Sequence, residues 1–390
     1  MARILYAAFD RAPAPKGASR HIQAFLGGLV RAGLEVDACL LTRADTLEGA
    51  RCLPCIPPEG HLLRRALLFG GHVRRHAEAS RYDLIHFRSP WEGLELLRWP
   101  HRPPLVYEVN GLPSLEWPVL YPALREQPEL IAKLRGQEQT LIRAVDSLIT
   151  PSRQTAALLQ AWGGRRIRVI PNGLHPSEWT VDSPPERMPE IFYMGTFSPW
   201  QGLTVLVEAF ARLPPPLRLR LVGTRGKGEG MGVLTLAQRL GVAERVIIQP
   251  PVAVAVLARL LARARLAVAP LDGGERNRVQ GACPIKILEY LAADCPVVAS
   301  RLPLVEDLVG HGESAWLVPP DEPGALAEGM ATVLRDASLA QRLRAGGLRR
   351  ARSFSWDRAL ERLLEVYREL GAGVSGMPAR GSCSSAPNGS

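Results

Sequence analysis

Short apolar runs and segments of helical period alternate along most of this chain. Residues 3–9, one arginine followed by six apolar residues, read as a strand buried on both faces. A Gly/Pro-rich loop over 10–19 follows. Ile22, Phe25, Leu26 and Leu29 then recur at helical spacing, which predicts a helix over 20–32, capped by Gly33 before a second strand at 35–41. This opening is a βαβ unit, although its loop lacks the GxGxxG spacing of a dinucleotide fingerprint. Strands are predicted again at 82–87, 105–111, 146–152 and 167–173, with a long polar helix over 129–145. The last of these strands closes on a Pro-Asn-Gly turn.

Residues 174–190 carry several prolines and no period, and read as a linker. The pattern then restarts, with strands at 191–195, 217–223, 246–248 and 266–269, a loop over 196–202 and a helix over 203–213. After a loop over 270–283, Pro284 opens a helix in which Ile285, Leu288, Leu291 and Ala292 share one face. That helix stops at Asp294-Cys295-Pro296, before an apolar strand at 297–299. Phe354-Ser355-Trp356-Asp357 starts a last amphipathic helix that runs to Leu370, and the Gly/Ser/Ala/Pro-rich remainder reads as disordered. Two rounds of strand–helix alternation predict an α/β protein of two Rossmann-like, doubly wound domains with a cleft between them. Their expected extents are 1–173 and 191–353, followed by a helix at 354–371 and a tail at 372–390.

Composition narrows the class. The 390 residues are 46% apolar and 22% charged, enough for two ordered cores. The formal net charge is +10, and of the 48 basic residues only Lys16, Lys133, Lys227 and Lys286 are lysine, so part of the basicity is an arginine-rich habit. Such a surface still attracts anionic lipid or phosphorylated ligands. Its basic residues are dispersed without a recognition motif, which argues against nucleic acid. No run approaches the ~18 to 20 apolar residues of a membrane span, and the N-terminal apolar stretch is too short for a signal peptide. With scattered cysteines, these features make the cytoplasm the expected compartment. Cys52-Leu53-Pro54-Cys55 is a lone CxxC and a weak sign of redox or zinc chemistry. Residues 61–76 set Leu62, Leu63, Ala66, Leu67 and Val73 against Arg64, Arg65, Arg74 and Arg75. They read either as an ordinary packed helix with a solvated basic face or as an interfacial helix giving peripheral membrane contact; Gly70-Gly71 weakens the second reading.

The stretch richest in chemistry is the start of the helix at Pro284. Unpartnered backbone N–H groups and the helix dipole favour an anion there, with the Lys286 ammonium beside it. Lys286 and Glu289, three apart, share a face. An amine for a phosphate and a carboxylate for a ribose diol would suit a ligand with a diphosphate at one end and sugar hydroxyls at the other, and a plain surface ion pair is the competing reading. In the first half, His86, Arg88, Glu108 and Asn110 fall at the carboxyl ends of strands, where open α/β sheets bind ligands.

Pro-Ile-Lys-Ile-Leu-Glu-Tyr-Leu-Ala (284–292) followed by Pro-Val-Val-Ala-Ser (296–300) resembles the donor-binding helix of family-4 retaining glycosyltransferases, which have the two-domain GT-B fold. Val-Ile-Pro-Asn-Gly (169–173) is similar to that family's hinge strand. Tyr193-Met194-Gly195 and Leu221-Val222-Gly223 look like its second-domain strands, and Phe354 to Trp356 like the start of a helix crossing back to the first domain. The resemblance implies donor binding by Gly195, Thr196, Gln201, Pro284, Ile285, Lys286 and Glu289. It implies catalytic roles for Lys286, Glu289 and Asn110, and an acceptor-side or phosphate loop around Gly17, Ala18, Arg88 and Asn172. It further implies a nucleotide-sugar donor, UDP- or GDP-linked, a glycan, lipid or small-molecule acceptor, and retention at the anomeric carbon. No cofactor or metal is expected, since no DxD or His/Asp cluster has ligand spacing. The chain departs from the family at three places. The first of two glutamates separated by seven residues, the second being Glu289, falls at Gly281; the phosphate-clamping Arg and Lys fall at Thr196 and Gln201; a first-domain histidine falls at Asn110. Arg225, Arg276 or Arg278 would then help Lys286 hold the diphosphate. Two rivals remain: a nucleotide-sugar epimerase or hydrolase on the same plan, and a catalytically weakened binding protein.

Overall fold

The computed structural model describes residues 1–56, 60–182, 186–223 and 229–373. The first sheet is built from β1 (Arg3–Ala7), β2 (Glu35–Leu40), β3 (Thr46–Leu47), β4 (Ala50–Pro54), β5 (Leu84–Phe87), β6 (Leu105–Glu108), β7 (Ser147–Thr150) and β8 (Ile167–Val169). The second contains β9 (Met188–Met194), β10 (Arg218–Val222), β11 (Val246–Gln249), β12 (Ala264–Ala269), β13 (Val297–Ser300) and β14 (Trp316–Val318). Their strand orders are β3-β4-β2-β1-β5-β6-β7-β8 and β11-β10-β9-β12-β13-β14. Every pairing is parallel except the short β3–β4 hairpin, as βαβ connections require.

The central strands are apolar on both faces because helices cover both. In β1, Ile4, Leu5, Tyr6 and Ala7 are all fully buried; in β12, Leu266 to Ala269 are. The terminal helix Trp356–Glu369 packs on the first sheet's side, where Trp356, Leu360, Leu363, Leu364 and Tyr367 share a core with Ile4, Tyr6, Phe25 and Leu29. Gly173 lets it dock. A Cβ there would lie 2.4 Å from the backbone nitrogen of Trp356.

Several boundaries differ from those expected. The helix placed at 20–32 begins three residues earlier (Gly17–Arg31), so Gly17, Ala18 and Ser19 belong to its first turn and not to a loop. Extended Lys16 serves as its N-cap residue. Strand β6 stops at Glu108, leaving Asn110 and Gly111 beyond the sheet. Of the segment expected to link the domains, Pro176–Trp179 is a 3-10 turn with Trp179 buried, and residues from Met188 onward already belong to β9. The helix expected over 61–76 runs unbroken from Leu62 to Glu78. Gly70 is tolerated because the backbone of Trp91 crosses it, 2.4 Å from where a Cβ would be. Ala66, Phe69, Val73 and Ala77 of this helix are buried, while Leu67 and Leu68 face out.

Candidate functional site

The helix Ile285–Ala292 follows Pro284, which is extended and supplies no side-chain cap, so its first turn presents backbone N–H groups at the gap between the sheets. Lys286 and Glu289 point the same way along it, as their spacing requires. The Lys286 amine donates to the Tyr193 hydroxyl at 3.0 Å and to the Gln201 amide oxygen, and lies 4.2 Å from the centre of the Tyr193 ring. Tyr193 in turn donates to the carbonyl of Thr196 at 2.7 Å. Gly195, at φ 143°, closes the other side: a Cβ there would lie 2.7 Å from Lys286 Nζ. Although part of the residue reaches the cleft, burial of the amine lowers its pKa from 10.5 to about 7, against the opposing pull of Glu289.

Glu289 is buried, and burial raises its pKa. Its carboxylate is ion-paired with Arg20, from the first turn of the helix Gly17–Arg31. Arg20 also reaches Glu178 at 3.3 Å and stacks over Trp179 at 5.2 Å. Two helix N-termini therefore meet here: Gly17 is small enough for the Ile285 side chain to lie 3.5 Å from where a Cβ would stand. Cavities of about 480 and 560 Å³ elsewhere in the molecule are lined by neither Lys286 nor Glu289.

Behind it, the first sheet's strand ends converge on one buried carboxylate. Glu108 accepts from Arg88 at 3.1 Å, from His86 at 3.0 Å, from Tyr6 at 3.4 Å and from Asn110. His21 Nε2 lies 2.8 Å away, in an orientation poor for a hydrogen bond. Burial alone would raise the Glu108 pKa, but Arg88 and His21 outweigh it and hold the group well below the usual carboxylate range. His86 also meets the Tyr367 hydroxyl at 2.7 Å, tying the terminal helix to the sheet. Asn172 joins the halves directly, donating to the Cys283 carbonyl at 2.8 Å while its oxygen lies 2.7 Å from His21.

The structure thus brings Lys286, Glu289, Gly195, Thr196, Gln201, Pro284, Ile285 and Gly17 into one neighbourhood. Asn110, Arg88 and Asn172 join it through Glu108 and His21. Gln201, at the position of the family's clamping lysine, holds the Lys286 amine. Arg276, expected beside the diphosphate, here bonds Glu116 of the first half at 3.2 Å and stacks on Trp200. Arg278 donates to its own loop, at the Gly273 carbonyl. Arg225 lies outside the described residues. Gly281 could not simply carry the missing glutamate: its φ is 77°, and a Cβ would sit 2.9 Å from Ser152 Oγ. Sequence reasoning missed Arg20, Tyr193 and Glu116. Arg20 was visible as a cation one turn into a helix beside the suspected loop, whereas Tyr193 reads only as a strand core residue. Among the described residues, no group of three His, Cys, Asp or Glu side chains could hold a metal ion.

Comparison with known proteins identifies the family and the fold. Residues 15–178 match the model of glycosyltransferase family 4, and residues 188–336 that of glycosyl transferases group 1. A D-inositol 3-phosphate glycosyltransferase of Nocardiopsis dassonvillei is 30% identical over 76% of this chain and 73% of its own. One from Xylanimonas cellulosilytica is 29% identical over 87% and 88%. Among solved structures, a sucrose-phosphate synthase from Thermosynechococcus elongatus superposes with a TM-score of 0.82 at 22% identity, covering 95% of this chain and 100% of that one. Anabaena HepE in complex with UDP-glucose gives 0.74 at 20% identity, covering 94% and 99%. The chain belongs to the family-4 glycosyltransferases and has their GT-B fold.

Proposed function

We propose that this glycosyltransferase moves a hexose from a nucleoside-diphosphate sugar, UDP-linked, to a hydroxyl of a glycan, lipid or small molecule, with retention and without a metal. The carrying observation is the Lys286 amine, held at a helix start with its pKa lowered to about 7 and opposite a second helix start at Gly17. As the bond between the anomeric carbon and the phosphate oxygen breaks, its electron pair goes to the diphosphate. Protonated Lys286 and the backbone N–H groups of the helix stabilise that charge. Glu289, once released from Arg20, would take the ribose diol. The acceptor hydroxyl attacks from the face the diphosphate leaves, and its proton passes to the departing phosphate oxygen. Solved relatives of the same fold hold UDP and UDP-glucose, which supports the choice of nucleotide.

A thermal-shift comparison of UDP, GDP and ADP tests this, with UDP expected to raise the melting temperature most. Failure of all three to bind would overturn the reading. Sugar release in the absence of any acceptor, as fast as transfer in its presence, would favour a hydrolase. Work in the cytoplasm, with peripheral contact to anionic membrane through Leu67, Leu68, Arg64 and Arg75, belongs to the same proposal. Co-sedimentation with phosphatidylserine vesicles would show it.

A further inference from the structure

A second polar cavity lies away from Lys286 and Glu289, where three parts of the chain meet. It has a volume of about 560 Å³, within the range of small-ligand sites. Arg153 and Asn172 line it from the first half, Arg350 from the second, and Arg358 and Arg362 from the terminal helix. The acidic groups in its wall are Glu306 and Asp307. Both are already engaged, Glu306 with Arg301 at 3.4 Å and Asp307 with the backbone N–H of Arg153 at 3.3 Å.

The four guanidiniums are not equally occupied. Arg350 donates to the carbonyls of Leu308 and Asp307, both at 2.7 Å, and Arg358 reaches the Ser353 carbonyl at 3.4 Å. Among the described residues, the side chains of Arg153 and Arg362 make no hydrogen bond or ion pair. Two helices, Arg153–Ala161 and Trp356–Glu369, also begin in this wall, capped by Ser152 and Ser355, so the positive ends of both dipoles add to the arginines. Asp357 lies in the first turn of the second helix but does not line the cavity. Unspent planar cations around a walled hollow suit an anion with several phosphate oxygens.

We propose that this cavity binds a small anion carrying two or more phosphate groups, and that its occupancy fixes the two halves relative to each other. The second part follows from the lining. An anion bridging Arg153, Arg350 and Arg362 would cross-link first half, second half and terminal helix beside the points where Asn172 bonds Cys283 and Leu174 bonds Phe354. The inference is independent of the donor reading.

Inorganic tripolyphosphate is the probe, titrated calorimetrically into the full chain at about 0.15 M salt, where exposed charges are screened. Three proteins are compared: wild type, the double variant Arg153→Gln/Arg362→Gln, and Lys286→Ala. The two arginines are exposed and spend no bonds, so the double variant should keep the wild-type melting temperature without the probe. Expected is saturable binding that survives Lys286→Ala and weakens about tenfold or more in the double variant, a loss of two charge-assisted contacts. Tripolyphosphate should also slow hydrogen exchange at residues 172–174 in wild type and not in the double variant. Binding lost in Lys286→Ala alone would place the anion in the donor site and overturn the proposal. Equal, weak binding by all three would reduce it to general attraction to a basic surface, and would overturn it too.

Discussion

In the mechanism proposed above the chemistry turns on Lys286, whose environment makes testable demands. In the free protein its amine titrates at about 7, below its ordinary 10.5, because it is buried. At about pH 8 it is therefore mostly neutral, while a diphosphate beside it would favour the charged form. UDP binding at that pH should take up close to one proton, seen as a dependence of calorimetric heat on the buffer's ionisation enthalpy, and Lys286→Met should abolish the uptake. The same shift has a stability consequence. With the folded pKa below the unfolded one, the unfolded chain binds more protons between about pH 7 and 10.5, so stability rises with pH across that window. Denaturant titrations should show the rise in wild type and a flatter profile in Lys286→Met. Turnover should fall roughly 10²-fold in Lys286→Ala, the usual cost of losing one charge-stabilising donor; near-normal turnover would remove the residue from the mechanism. Its spacing from Glu289 was legible in the sequence. Its contacts to Tyr193 and Gln201 were not, because they depend on where β9 and its following turn lie beside a helix more than eighty residues later.

At the scale of elements, strand alternation gave most members of both sheets but not β3, β4 or β14, and the helices Pro323–Arg335 and Ala337–Ala351 also went unread. The helices Pro90–Leu96 and Pro113–Leu120 are one to two turns long, too brief for a period to declare itself, and each is announced only by its leading proline. The β3–β4 hairpin is held at the sheet edge by pairing with β2, which no local pattern reveals. The terminal helix was legible from its apolar stripe, but its partner was not: Tyr367 meets His86 and, through it, Glu108. That chain of contacts predicts a strong effect from Arg88→Ala. The substitution leaves a buried carboxylate without its main cation and should cost about 3–5 kcal/mol in denaturant unfolding at neutral pH, a deficit that narrows as pH falls and protonation neutralises Glu108. Tyr367→Phe removes a single hydrogen bond from the same network and should cost about 1 kcal/mol.

For the whole molecule, two Rossmann-like halves were readable from the restart of the strand pattern, but their mutual seating was not, since it rests on side chains far apart in sequence. Glu116 is the plainest instance. It stands in a short helix of the first half, accepting from Arg276 at 3.2 Å and from Gln280 at 2.9 Å in the second. Gln280 also accepts from the backbone N–H of Leu112 at 3.0 Å, and Gln154 donates to the Asn277 carbonyl at 3.2 Å. This cluster lies around the position where the family's first glutamate is absent, so here the segment 276–281 holds the halves together with groups that do not include a carboxylate at Gly281. If closure is what excludes water and aligns donor with acceptor, weakening the cluster should harm turnover more than nucleotide binding. Glu116→Ala should therefore lower kcat several-fold while UDP affinity stays within about twofold, and solution scattering should show a larger radius of gyration for the unliganded variant. An unchanged radius with unchanged kcat would mean that these bonds form only after closure is complete, and that the pairing of Arg20 with Glu289 governs the gap instead.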